Sequence, residues 1–169
     1  MTNHSHSHDP SDGCMHLDQT PFDQIERDVL QMARMYFLSF HKPESQAWVN
    51  AFYSAEQRFG MPYGATIGNA VLMAVNSMRS ARSAGFSYRD PKCPTCQEFI
   101  TNEERYFVSA LHDIRQRNRS GAKMNAMLLC QGADDQQFLD CMGRLAVLIT
   151  ENQAFGISTS TPDQERAKA

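Results

Sequence analysis

Apolar residues recur three or four positions apart in six segments of this chain, and this spacing constrains the fold more than any other feature. Such residues share one face of an α-helix, whereas a strand would need strict alternation. We find no alternating segment, no internal repeat and no long heptad run. The sequence therefore predicts an all-α domain, a bundle or array of about six helices. Its apolar stripes are Ile25, Val29, Met32, Tyr36 and Phe40; Trp48, Phe52, Ala55 and Phe59; Ile67, Val71, Val75 and Met78; Phe107, Leu111 and Ile114; Met124, Met127 and Leu128; and Phe138, Cys141, Leu145 and Leu148.

Capping residues, glycines and prolines mark the ends of these segments. Thr20 is a suitable N-cap for the first helix, and Gly60 is a typical C-cap for the second. Thr101 and Glu104 have the spacing of a capping box, which starts the fourth helix. The third helix ends near Gly85, and two prolines keep the following residues out of a helix. We therefore expect an irregular loop between the third and fourth helices.

Composition divides the chain into one domain and two tails. Residues 1–19 form a polar, His-rich segment with little to bury, and residues 158–169 are similarly polar, so both are predicted to be disordered. The helical domain is then 20–157, a length that suits a single core. The polar start is unlike a signal peptide, and no apolar run is long enough to span a membrane. We expect a cytoplasmic protein with reduced thiols.

The loop contains Cys93 and Cys96 in the order Cys-Pro-Thr-Cys, the most concentrated chemistry in the chain. This spacing suits half of a zinc site, a dithiol that cycles to a disulfide, or a purely structural turn. The four residues resemble the active-site tetrapeptide of glutaredoxins, but the flanking strands of those proteins are not predicted. The pair immediately precedes a predicted helix, whose N-terminus would favour the thiolate.

A zinc ion would need further ligands, because a structural site is usually tetrahedral. Cys130, His112 and Cys141 are the candidates that could complete a site with Cys93 and Cys96. Each also has an ordinary interpretation, since free cysteines are commonly buried as small apolar residues and a helical histidine is commonly solvated. The redox alternative has Cys93 as the nucleophile and Cys96 as the resolving thiol, with no further ligand.

Two further groups of residues have possible binding roles. The first is at the N-terminus, where a flexible chain could chelate Zn, Ni or Cu or serve only as a solubilising tail; its residues are His4, His6, His8, Cys14 and His16. The second group is basic and would form a nucleic-acid-binding face if the fold brought it together, although charges at helix ends are also expected from the helix dipole. It comprises Arg79, Arg82, Arg89, Lys92, Arg115, Arg117, Arg119 and Lys123.

Familiar catalytic motifs are missing from the sequence: it has no P-loop, no G-x-G-x-x-G, no G-x-S-x-G and no H-E-x-x-H. The net charge of −3 also argues against a whole-chain nucleic-acid surface. We therefore expect a small cytosolic regulatory or adapter protein with a structural zinc ion, rather than an enzyme. A dithiol oxidoreductase and a nucleic-acid-associated regulator are the alternatives. The ten methionines suit either an irregular helical core or an adaptable binding surface, and we expect a protein partner or a homodimer.

Overall fold

The computed structural model describes residues 14–159, with side chains to residue 156, and is predominantly helical in that range. This confirms the predicted all-α fold and the position of the Cys-x-x-Cys loop after the third helix. The described residues also contain two short strands, Met15–His16 (β1) and Phe99–Ile100 (β2), and single 3₁₀ turns at Leu17–Gln19 and Pro43–Ser45. The helices are Gln24–His41 (α1), Ala47–Phe59 (α2), Tyr63–Ala81 (α3), Pro94–Gln97 (α4), Asn102–Arg115 (α5), Arg119–Leu129 (α6) and Gln136–Thr159 (α7).

The helix starts follow local hydrogen bonding. Helix α5 begins with the predicted capping box, in which the Glu104 backbone N–H donates to Thr101 Oγ1 at 3.1 Å. Helix α1 begins later than predicted, because Asp23 rather than Thr20 is its N-cap. The carboxylate of Asp23 accepts from the Glu26 backbone at 2.8 Å, and Glu26 reciprocates. Helix α3 ends at Ala81, four residues before the predicted glycine.

Helix α3 lies at the centre of the core, packed against α1, α2 and α7. Its predicted stripe is confirmed, because Ile67, Val71, Val75 and Met78 are fully buried. From α1, the Tyr36 hydroxyl donates to the Gly68 carbonyl at 2.9 Å, which fixes α1 against α3.

The predicted apolar stripe of α2 is confirmed in part, and that of α6 is wrong. In α2, Ala55 and Phe59 are buried as predicted, together with Ala47 and Ala51, whereas Trp48 is 50% exposed. In α6, the predicted stripe faces outward, since Met124, Met127 and Leu128 are all exposed, and alanines again form the buried face. Phe40, near the end of the α1 stripe, is also exposed. Alanine faces allow close helix packing, which the larger side chains would prevent.

The contact between α2 and α3 is close enough to require glycine. A Cβ atom added at Gly64 would lie 2.6 Å from the Cα atom of Glu56, which no real side chain tolerates. At Gly68, an added Cβ would lie 3.2 Å from the Ala55 Cβ. Small residues on both helices therefore set the distance between them.

The N-terminal segment that we assigned to a disordered tail is structured from residue 14. Strand β1 pairs antiparallel with β2, so that Met15 lies opposite Ile100 and His16 opposite Phe99. The Leu17 backbone N–H donates to the Glu98 carbonyl at 2.8 Å, and the Leu17 side chain is buried in the core. Residues 1–13 and 160–169, which hold most of the two predicted tails, lie outside the described residues.

No described helix has the length and apolar character needed to cross a lipid bilayer.

Candidate thiol site

The two cysteines of the Cys-x-x-Cys motif lie side by side on a single helical turn. Cys93 is the N-cap of α4, and its sulfur accepts a hydrogen bond from the Cys96 backbone N–H at 3.3 Å. Pro94 begins the turn, as its fixed φ angle favours. The pair does not immediately precede α5 as we expected, because the one-turn helix and strand β2 lie between them.

The environments of the two thiols differ. Cys93 is partly exposed, beside the exposed residues Lys92, Pro94 and Thr95, whereas Cys96 is buried. A hydrogen bond from the Cys96 side chain, followed by one from its backbone, lowers the pKa of Cys93 below its ordinary value. Burial raises the pKa of Cys96 to about 11, and the hydrogen bond to Cys93 acts in the same direction. At neutral pH, therefore, the exposed sulfur is the better nucleophile.

Charged residues next to the pair also affect the thiols. The carboxylate of Asp90 raises the pKa of both Cys93 and Cys96, because it disfavours a second negative charge nearby. The guanidinium of Arg89 lowers the pKa of Cys96. Asp90 is held in place by the Lys92 backbone N–H, which donates to its carboxylate at 2.8 Å.

A buried arginine on α1 anchors the thiol loop, residues 89–101. The side chain of Arg34 is 1% exposed. Its guanidinium donates to the Gln97 carbonyl at 3.3 Å and to the Phe99 carbonyl at 2.5 Å. These carbonyls flank the end of α4 and the start of β2, where no regular helix accounts for their hydrogen bonds. Arg34 therefore fixes the backbone that follows Cys96.

Glu104 neutralises this arginine and binds the loop from the opposite side. Its carboxylate is fully buried and accepts from Arg34 Nε at 2.7 Å and Arg34 Nη2 at 3.0 Å. The same carboxylate accepts from the backbone N–H groups of Arg89 and Thr101, each at 2.9 Å. Both ends of the thiol loop are thus tied to one carboxylate on α5.

Sequence reasoning recognised only the capping role of Glu104 and missed Arg34. One signal was available, because Arg34 follows Leu30 by four positions and precedes Leu38 by four, on an apolar face of α1. A charged residue at such a position needs a buried partner. The partner itself lies 70 residues away, so spacing alone does not identify it.

The predicted completing zinc ligands have other roles in the structure. His112 Nδ1 lies 3.1 Å from both carboxylate oxygens of the buried Glu26. Cys130 and Cys141 are packed in the hydrophobic core. Among residues 14–156, no three His, Cys, Asp or Glu side chains come together as a possible metal site. The zinc site stays a prediction, with only Cys93 and Cys96 in contact.

The predicted basic face is divided by ion pairs. Arg82 pairs with Glu103, Arg115 with Asp23 and Glu26, and Lys123 with Asp135. The guanidinium of Arg79 lies over the ring of Phe40, 3.6 Å from its centroid. Arg117 and Arg119 line a cavity of about 1000 Å³ between α5, α6 and α7. Nucleic-acid binding by the basic residues stays a prediction.

The described part of the N-terminal segment lies next to the thiol loop. Cys14 contacts the Arg89 guanidinium, and both residues line a cavity of about 340 Å³ that also includes Thr101 and Glu103. The His16 ring packs edge-on against Phe99, with centroids 5.3 Å apart. His4, His6 and His8 lie outside the described residues, so their predicted metal binding stays a prediction.

Fold and site together define an all-helical domain with a Cys-x-x-Cys turn anchored by a buried Arg–Glu pair. Comparisons of the chain with family models, with curated proteins and with solved structures gave no match. A functional interpretation therefore depends on the geometry of the thiol site itself.

Proposed function

We propose that this protein is a dithiol oxidoreductase in which Cys93 is the nucleophile and Cys96 is the resolving thiol. The observation that supports this role is the contrast between two sulfurs in contact, one partly exposed with a lowered pKa and one buried with a raised pKa. Thiol–disulfide exchange needs this difference, because one thiolate must attack first while the other stays protonated. This proposal replaces the adapter with structural zinc as our preferred function.

The reaction conserves atoms and electrons in two exchanges. The Cys93 thiolate attacks one sulfur of a substrate disulfide, forms a mixed disulfide and releases the other substrate sulfur as a thiolate. Cys96 then attacks the Cys93 sulfur and releases the second substrate sulfur as a thiolate. The proton of the Cys96 thiol passes to one of the departing thiolates. Two electrons move from the protein to the substrate, and the product is a Cys93–Cys96 disulfide. The same steps in reverse oxidise a substrate dithiol.

The surroundings of the pair support this chemistry in two ways. Lys92, Pro94 and Thr95 are exposed around Cys93, so a substrate disulfide can approach the attacking sulfur. The backbone after Cys96 is fixed by Arg34 through the Gln97 carbonyl, which holds the resolving thiol beside Cys93. Positioning of the second thiol raises its effective concentration at the mixed disulfide.

The test is equilibration of the full-length protein in glutathione buffers of graded potential, followed by alkylation and mass analysis. We expect a single Cys93–Cys96 disulfide with a defined midpoint potential. The Cys96→Ala variant should instead accumulate a mixed disulfide with glutathione at Cys93, because no resolving thiol is present. A Cys141→Ala variant, which alters a core cysteine, is the matched control and should keep the wild-type midpoint.

Two outcomes would contradict the proposal. Failure to form the intramolecular disulfide under oxidising buffers would show that the thiols do not exchange as described. Stoichiometric zinc in untagged purified protein, lost in the Cys96→Ala variant, would restore the structural metal role. Elemental analysis of the same samples distinguishes these results.

A further inference from the structure

A second site lies beside the segment that leads to the thiol loop. It is a surface cavity of about 230 Å³ between the ends of α1 and α3 and the residues that follow α3. Four aromatic side chains, Phe37, Phe40, Phe86 and Tyr88, form its walls. The rings of Phe37 and Phe86 are stacked with centroids 3.9 Å apart, and Phe37 also stacks with Tyr88 at 5.7 Å. Packing of these three rings on one another holds that part of the wall in place.

One cation at the rim of this cavity is available to a ligand. The Arg79 guanidinium lies 3.6 Å from the centroid of Phe40, and no ion pair or hydrogen bond links Arg79 to another described residue. This cation–π contact holds the guanidinium at the ring, and its N–H donors have no hydrogen-bond partner among the described residues. His41 lies at the same rim and is also exposed.

The second arginine of the cavity is already neutralised. Arg82 pairs with Glu103 and donates at 2.6 Å to the carbonyls of Leu129 and Gly85, so its side chain is almost fully buried. No acidic side chain is among the described residues that line this cavity. The uncompensated charge is therefore the positive charge of Arg79, placed beside aromatic walls.

We propose that this cavity binds a small planar aromatic carboxylate. The aromatic walls supply apolar surface for the ring, and the fork of Arg79 donors matches the two oxygens of a carboxylate. The volume is below the roughly 300 Å³ at which pockets for drug-sized ligands begin, so the ligand has one ring or two fused rings. This site is independent of the proposed thiol chemistry, since neither cysteine of the motif lines the cavity.

Calorimetric titration of the full-length protein with 2-naphthoate tests this site, with 2-naphthalenemethanol and inorganic phosphate as comparison ligands. We expect saturable binding of the carboxylate, binding at least roughly ten-fold weaker for the neutral alcohol, and no binding of phosphate alone. Arg79→Gln should weaken naphthoate binding roughly ten-fold and leave the alcohol unaffected. Phe40→Leu should weaken naphthoate roughly two- to five-fold, because the guanidinium loses the ring that orients it.

Arg144→Gln is the matched control, since it removes an exposed arginine from α7 without touching the cavity. Circular dichroism of each variant verifies folding, and the exposed position of Arg79 makes misfolding of its variant unexpected. Three results would each overturn the proposal: no saturable naphthoate binding, equal affinity for the alcohol and the carboxylate, or equal loss of naphthoate affinity in the Arg144→Gln control. Disulfide formation by the Cys-x-x-Cys motif is measured separately, so failure here leaves the thiol proposal standing.

Discussion

Removal of the Glu104 carboxylate is the most informative perturbation of this fold. Glu104 is fully buried and accepts four hydrogen bonds, two from Arg34 and one each from the Arg89 and Thr101 backbones. Breaking one side of a buried ion pair costs roughly 3–5 kcal/mol, because the remaining charge stays in the interior without a counter-charge. The free energy of unfolding of a protein domain is only about 5–15 kcal/mol, so we expect Glu104→Gln to remove a large share of it.

The free energy of unfolding should be measured by urea denaturation, with the helical circular dichroism signal as the readout. The slope of this free energy against urea concentration should be the same in the wild type and the variants, so that a shifted midpoint reports a change in stability. We expect Glu104→Gln to lower the free energy of unfolding by about 3 kcal/mol or more. Glu151→Gln, at an exposed site on α7, is the matched control and should change it by less than about 0.5 kcal/mol. The double variant Arg34→Met with Glu104→Leu should cost less than the two single changes added together, because it leaves no unpaired charge.

A Glu104→Gln variant within about 1 kcal/mol of the wild type would refute this reasoning, since the buried charge of Arg34 would then be satisfied by something else. The reasoning would also be contradicted if the double variant lost as much unfolding free energy as the two single variants added together, because residues that share a buried ion pair must be coupled. Local effects are expected too. Alkylation of Cys93 should accelerate in Glu104→Gln, because the amide keeps one acceptor oxygen for the two loop N–H groups that the carboxylate binds.

Three further predictions follow from the site and the helix contacts. Cys96→Ala should raise the pKa of Cys93, measured as the pH dependence of its alkylation rate, because the largest cause of its lowering is the Cys96 side-chain hydrogen bond. Gly64→Ala should destabilise the fold by at least about 2 kcal/mol in urea denaturation, whereas Gly143→Ala should stabilise it by about 0.5–1 kcal/mol, because only the first Cβ meets backbone. Burial would raise the pKa of Asp23, but the hydrogen bond and positive charge of Arg115 lower it overall. The stability that the ionised Asp23 contributes is complete above the unfolded-state pKa and is lost as pH falls through the folded-state pKa. Asp23→Asn should therefore make the free energy of unfolding less dependent on pH on the acid side.

Local signals in the sequence predict much of this fold. The capping box at Thr101 and Glu104 and the apolar stripe of α3 are determined within one or two helical turns, and both are confirmed. The face of α2 is different, because Trp48 and Ala51 compete for the core, and a close approach to α3 favours the smaller residue. That choice depends on a neighbouring helix and is invisible to periodicity.

The candidate site was predictable only in part. The Cys-x-x-Cys spacing identified Cys93 and Cys96, and their contact follows from the turn that the spacing allows. Their contrasting surroundings depend on tertiary burial, and the Arg34–Glu104 pair joins two helices that are distant in sequence. A sequence pattern can show that a buried arginine needs a partner, but only the packing of α1 against α5 identifies which carboxylate it is.

The separation of Arg34 and Glu104 along the chain has a consequence for protein synthesis. The ribosome produces α1 and both thiols before it produces residue 104, so Arg34 has no counter-charge until α5 emerges. Strand β1 likewise has no strand to pair with until residues 99 and 100 of β2 have been synthesised. The nascent polypeptide therefore carries Cys93 and Cys96 in a segment whose two ends are bound to Glu104 only after translation has passed the start of α5.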